Sequence, residues 1–166
     1  RRIYCLQNLL YEEVLLIVKL EEAIKFALDG EAVLFLGSGF SSEATNRLNK
    51  NLPIGRELSY AICDEMNINR SDKLSISSER YVDKYGVQSF ITFLKNHILC
   101  KTVSGNQNEI LSLPWKRIYT TNYDDVVEVV SNKLNIKREY VTANIAPKDI
   151  KDINGAIIHI NGSILN

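Results

Sequence analysis

The sequence predicts an α/β chain with a Rossmann-like, mostly parallel sheet and flanking helices. Three observations carry that reading. Residues 32–36 and 156–160 are short, largely apolar runs of strand length, residues 115–121 are a strand-length segment centred on Ile118 and Tyr119, and each ends in a polar or glycine turn. Between them lie segments of helical periodicity, such as 124–134 with Val126, Val127, Val129 and Val130. Strand, helix and strand alternate, and parallel neighbours need such crossover connections.

Residues 8–29 predict an amphipathic helix. Leu10, Val14, Ile17, Ile24 and Leu28 fall on one face, with Glu12, Lys19, Glu22 and Lys25 elsewhere. Gly30 is its expected stop. Residues 1–29 are therefore read as an N-terminal helix that packs on the domain or on a neighbouring subunit, and 30–166 as the domain itself. Residues 31–36 form the first core strand. The segment 37–53 carries Ser41, Ser42, Asn46, Asn49 and Asn51 and is expected to be a loop over a ligand site. A helix follows from near Gly55 to Met66, then a turn-rich stretch over 67–78. Two short helices are expected near 78–85 and 86–99, the second with Val87, Phe90, Ile91, Leu94 and Ile98 on its apolar face. Residues 106–113 add a helical turn or two, ended by Pro114. The second core strand is 115–121, followed by the 124–134 helix and a short strand at 139–142. The third core strand, 156–160, ends at Asn161-Gly162. There are no internal repeats.

With 166 residues, the chain has the length of one domain and can bury a core. Its 20 basic and 20 acidic residues cancel and the basic ones are scattered, so no electrostatic footprint for nucleic acid is present. Uninterrupted apolar runs such as 14–18 stop far short of the roughly 20 residues of a membrane span. Cys5, Cys63 and Cys100 form no C-x-x-C pair. They are expected to be free buried thiols of a reducing, cytoplasmic compartment, with no zinc site. The sequence starts at Arg1 and stops at Asn166 just after an apolar strand, and no signal peptide is evident. It reads as an incomplete fragment of the full domain, truncated on its C-terminal side.

Three segments carry chemistry. Gly37-Ser38-Gly39-Phe40-Ser41 follows the first strand. In parallel α/β folds such a turn opens a nucleotide phosphate site: one glycine allows a tight turn, the next lets a diphosphate approach, and free N–H groups hold anionic oxygens. Alone, such a turn is more often a plain strand-to-loop turn. Thr120-Thr121-Asn122-Tyr123-Asp124 sets an amide and a carboxylate where a strand gives way to a helix. Ligands bind at the carboxyl ends of such strands, although Thr121 or Asn122 could simply cap the helix and Asp124 favour its dipole. In Ile158-His159-Ile160-Asn161-Gly162-Ser163, strand alternation predicts that His159 and Asn161 face the same side. A lone histidine there can also be purely structural.

In this order the three segments resemble the sirtuin family (silent information regulator type), and within it the bacterial sirtuin-like NADase domains of anti-phage defence proteins. Gly37 to Ser41 stand for the family's G-A-G-x-S, and Thr120 to Asp124 for the T-T-N-Y-D of the defence branch. Residues 158–163 stand for the strand that ends in H-G-S or H-G-D, and Leu52-Pro53 to Glu57-Leu58 for its loop-to-helix entry. The resemblance spans about residues 30–163. It departs at one position: Asn161 stands where the family has its catalytic histidine, and His159 lies two residues earlier.

The resemblance implies cleavage of NAD to nicotinamide and ADP-ribose, with NAD as substrate and no metal. NAD or its fragments would contact Gly37, Ser38, Gly39, Phe40, Ser41, Thr121, Asn122, Asp124, Gly162 and Ser163. Asn122 would position the nicotinamide ribose or the attacking water, and Asp124 would bind the nicotinamide amide or stabilise the pocket. A histidine would be the general base, expected to be His159, supported or replaced by Asn161. Free NAD hydrolysis is toxic, so the resemblance also implies control by a C-terminal sensor region or partner protein and a homo-oligomer. Two other readings follow from it: a non-catalytic NAD or ADP-ribose sensor or oligomerisation domain, and a protein-lysine deacylase. The deacylase needs an acyl-lysine channel built with a four-cysteine zinc module.

Overall fold

The computed structural model describes residues 19–142 and 155–165. In chain order the elements are α1 (Leu20–Leu28), β1 (Val33–Leu36), α2 (Ser38–Ser41), β2 (Thr45–Asn46), α3 (Gly55–Glu65), α4 (Leu74–Tyr85), α5 (Val87–Ile98), β3 (Cys100–Thr102), α6 (Gly105–Ser112), β4 (Arg117–Thr120), α7 (Val126–Lys133), β5 (Tyr140–Thr142) and β6 (Ala156–His159). Of the expected N-terminal helix, residues 20–28 are helical, and Gly30 ends it at φ +75°, a conformation that glycine adopts without strain. Residues 8–18 of that expectation, and Cys5, lie outside the described residues.

The main sheet has four strands in the order β1-β4-β6-β5, all parallel. Flanked by its helices, it is the expected Rossmann-like α/β arrangement. Alternation along the strands sorts the side chains. Leu34, Ile118 and Ile157 lie side by side in register, as do Leu36, Thr120 and His159. Leu36, Ile118 and Ile157 pack against Leu111 of α6 and Val127 and Val130 of α7, giving one continuous core. On the opposite face Val33 and Phe35 stay 51% and 63% exposed.

The long connection from β1 to β4 holds a helical module with a core of its own. Leu58 and Ile62 of α3, Tyr81 of α4, and Phe93 and Ile98 of α5 form it, and Ile164 from beyond β6 packs onto it. A smaller cluster of Ala44, Leu52 and Val126 lies beside Phe40 and Val103, which also touch the sheet core. The functional loops therefore sit between two separate apolar cores.

Two expectations are corrected. Residues 37–53 are not simply a loop. They contain the single turn α2 and the strand β2, which pairs antiparallel with β3. The asparagines there close the chain on itself: Asn46 Oδ1 accepts from the backbone N–H groups of Leu48 and Lys50, and Asn46 Nδ2 donates to the His97 carbonyl. Helix α4 also starts at Leu74, inside the stretch expected to be turns. Its Ser77 is buried and hydrogen-bonds Ser59 of α3 at 2.9 Å, so a polar-looking segment makes a helix–helix contact. Of the cysteines, Cys63 is free and buried and Cys100 free and half-buried.

Ile118 is fully buried between α6, α7 and the neighbouring strands. Ile118→Ala should lower the unfolding free energy by about 2–5 kcal/mol, read from urea denaturation followed by circular dichroism.

Candidate active site

Strands β1, β4 and β6 end level with one another, at Leu36, Thr120 and His159. Whatever follows each strand must therefore emerge at one edge of the sheet. A cleft of about 200 Å³ opens there. Ser38, Thr121, Asn122, Tyr123, Asp124 and Asn161 line its polar side, and Leu52, Pro53, Leu58, Leu74 and Ile98 its apolar side.

The polar side is wired across 81 residues of sequence, where Asn122 Nδ2 donates to the Ser41 hydroxyl at 2.9 Å. Both residues are buried. The Asp124 carboxyl lies close enough to Ser41 for that hydroxyl to lower its pKa. Asp124 Oδ1 accepts from the Val126 N–H at 3.1 Å. Thr120 Oγ1 accepts from the Asn122 N–H at 3.0 Å and fixes the turn. Burial pushes the Asp124 carboxyl up from 3.8 to about 6; the Ser41 and Val126 hydrogen bonds oppose this, and the negative charges of Asp125 and Glu128 add to it. Asp125 instead braces the site: its Oδ1 accepts from the Cys100 N–H at 2.7 Å. Burial, with the charges of Asp125 and Asp124, pushes the Cys100 thiol up to about 12, so no thiolate forms near neutral pH.

His159 does not share a side with Asn161. Strand β6 stops at His159, and the chain then turns, with Gly162 at φ +93°. The alternation that predicted a shared face ends before it reaches Asn161. His159 points under α7, where it is 1% exposed. Its Nδ1 lies 3.1 Å from the Asn122 carbonyl and its Nε2 lies 2.6 Å from Glu128 Oε1. A carbonyl only accepts, so Nδ1 carries a proton; Nε2 shares another with the carboxylate. Burial alone would lower the His159 pKa, but the Glu128 hydrogen bond and charge, the Asn122 carbonyl and Asp124 together raise it above 6.5.

Asn161 faces the cleft, and its Nδ2 donates to the Thr121 carbonyl at 3.1 Å. The backbone bonds Ile160 N–H to Thr120 and Ile164 N–H to Tyr123 hold the turn after β6 against residues 120–123. Of the other expected contacts, Ser38 and Thr121 line the cleft, whereas Phe40 packs into the core. Ser163 lines a second, smaller hollow together with Glu128 and His159. Gly37 has φ −120°, which any residue adopts, so the turn itself does not demand glycine there. Nothing lies within 4 Å of where a Cβ on Gly37 or Gly39 would sit. The backbone there is open to close approach.

Two residues that the sequence reading passed over organise the site. Gln107, buried, donates from Nε2 to the Phe40 carbonyl at 2.7 Å and holds the turn after β1. Its signal was the capping box Ser104-x-x-Gln107, which α6 forms. Glu128 was legible as a lone acid inside the run Val126-Val127-Glu128-Val129-Val130. Among the described residues, no three His, Cys, Asp or Glu side chains are grouped to hold a metal ion. Likewise, no helix there is long and apolar enough to cross a membrane.

Neither models of known protein families nor curated proteins match this sequence. The sirtuin resemblance accordingly rests on the sequence motifs alone.

Two stability profiles follow. The folded Asp124 carboxyl titrates above its unfolded value, so the stability it contributes is complete below 3.8 and lost as pH rises through about 6. Asp124→Asn keeps the acceptor without the charge and should stabilise the fold above pH 6 by about 1–3 kcal/mol, measured by urea unfolding at several pH values. The His159–Glu128 pair contributes fully below pH 6.5 and fades as pH rises through the higher folded pKa of His159. His159→Gln should thus lower the melting temperature more in mildly acidic than in alkaline buffer. Equal losses at both would contradict a charged pair.

Proposed function

We propose that the chain is a sirtuin-like NAD glycohydrolase domain, cleaving NAD to nicotinamide and ADP-ribose as the effector of a bacterial anti-phage defence protein. The observation that carries this reading is the Ser41–Asn122 hydrogen bond, with Asp124 beside it. The two most specific motifs of the resemblance, far apart in sequence, meet in one cleft beside an open glycine turn. A cleft of about 200 Å³ is smaller than the roughly 300–1,000 Å³ of sites that enclose a whole ligand. It suits the reacting nicotinamide–ribose half, with the diphosphate lying over Gly37 to Gly39. The apolar wall of Leu52, Pro53, Leu58 and Ile98 offers a face for the nicotinamide ring and limits water.

In this reading Asn122 orients the ribose, and Asn161 supplies a further hydrogen-bonding group. The transition state is oxocarbenium-like, as in other glycoside cleavage. Control by a sensor region or partner, and assembly into a homo-oligomer, belong to the same proposal. A second reading, a domain that binds NAD or ADP-ribose without cleaving it, is favoured by one observation: Asn161 lines the cleft and His159 does not.

The deciding measurement is nicotinamide release from NAD by the full chain, beside calorimetric binding of NAD and ADP-ribose. Asn122→Ala, which strips Ser41 of its partner, should cut release by about 10²–10³-fold. Binding without release at any enzyme concentration would favour the sensor, and absence of both would end the NAD reading.

A further inference from the structure

We propose that Asp124 is the group that takes the proton from the attacking water in this cleft, in place of a histidine. The inference rests on the NAD reading above. A general base must face the reacting atoms and have a free lone pair. His159 meets neither condition, since both ring nitrogens are engaged beneath α7. Asn161 and Asn122 are amides and do not take protons. Tyr123 stands at the rim, 49% exposed. Among the described residues that line the cleft, Asp124 is the one carboxylate.

Its surroundings suit the task. A carboxylate offers about four acceptor positions. The Val126 N–H takes one at 3.1 Å and the Ser41 hydroxyl lies beside the carboxylate, which leaves capacity for a water. The ionisable groups around it are Asp125 in the same turn, Glu128 on α7, His159 on β6 and Cys100 on β3. His159 and Glu128 are paired with each other. Burial and the two neighbouring acids bring Asp124 close to the pH at which a base works best.

The step balances. The bond between ribose C1′ and the nicotinamide ring nitrogen breaks, and its electron pair stays on that nitrogen, which becomes neutral. Water oxygen bonds to C1′, and its proton passes to the Asp124 carboxylate. Asp124 then releases the proton to solvent, so NAD and water give nicotinamide, ADP-ribose and one proton.

The test uses the full chain and its Asp124→Asn, Asp124→Ala and His159→Gln variants. It reads NAD binding by calorimetry and nicotinamide release over about pH 5 to 8. The parent should show kcat/KM falling tenfold per unit below about pH 6. Asp124→Asn should bind NAD within about tenfold of the parent, lose about 10²–10⁴-fold in release and lose the acidic limb. Added formate should restore part of the activity of Asp124→Ala, a rescue that a structural role would not produce. His159→Gln should keep the limb. Release by Asp124→Asn within tenfold of the parent, or a limb that vanishes in His159→Gln alone, would overturn the assignment while leaving the NAD reading intact. A parent that binds NAD without cleaving it, or does not bind it, would overturn both.

Discussion

The site depends on a backbone constraint: three parallel strands end in register. Leu36, Thr120 and His159 stand side by side, so the segments after them leave the sheet at one level. Parallel pairing fixes this without help from the functional side chains, through evenly spaced backbone hydrogen bonds. Each following segment is then held to its neighbour. Thr121 N–H reaches the Leu36 carbonyl, and residues 160–164 run beside 120–123. Slipping one strand by a single residue would reverse its faces and separate Asn122 from Ser41.

Within that frame, two acids a turn apart meet opposite fates. Glu128 lies under the sheet edge with an imidazole 2.6 Å away, so its charge is compensated at the cost of desolvating both partners. Asp124 lies in the cleft among hydroxyl and amide dipoles, and burial tells against its charge. The first arrangement holds β6 to α7. The second holds a carboxyl whose pKa burial raises to about 6, so that its charged form costs stability as the pH rises. The histidine, chemically the more obvious residue, is bound to the scaffold.

The fold was legible because its signals are local. Strands β1 and β6 are apolar runs closed by turn residues, β4 is centred on Ile118 and Tyr119, and α7 announces itself by its valines. The meeting of Ser41 with Asn122 and Asp124 was legible as well, since ligands gather at the carboxyl ends of parallel strands. What escaped depends on contacts between distant polar residues. Gln107 holds the Phe40 carbonyl and Ser77 meets Ser59, and neither pairing leaves a periodic trace. The direction of His159 escaped for a different reason. It turns on whether β6 stops at residue 159 or continues to 161, and strand boundaries are set by the turn around Gly162 and by Glu128 waiting beneath.

The spacing of the Ser41–Asn122 contact also bears on how the molecule is made. Closing a loop of 81 residues costs about 4 kcal/mol of chain entropy, before any contact across it is rewarded. The helical module inside that loop has its own core, so it can collapse first and shorten the effective search. β6 lies between β4 and β5, so the sheet is a gap until the last strand is inserted. On a ribosome, the chain up to β5 would lack the segment that completes the cleft wall, Asn161 included. The cleft is thus finished only when residues near 165 have emerged, and a nascent or prematurely ended chain would carry its motifs in an unassembled form.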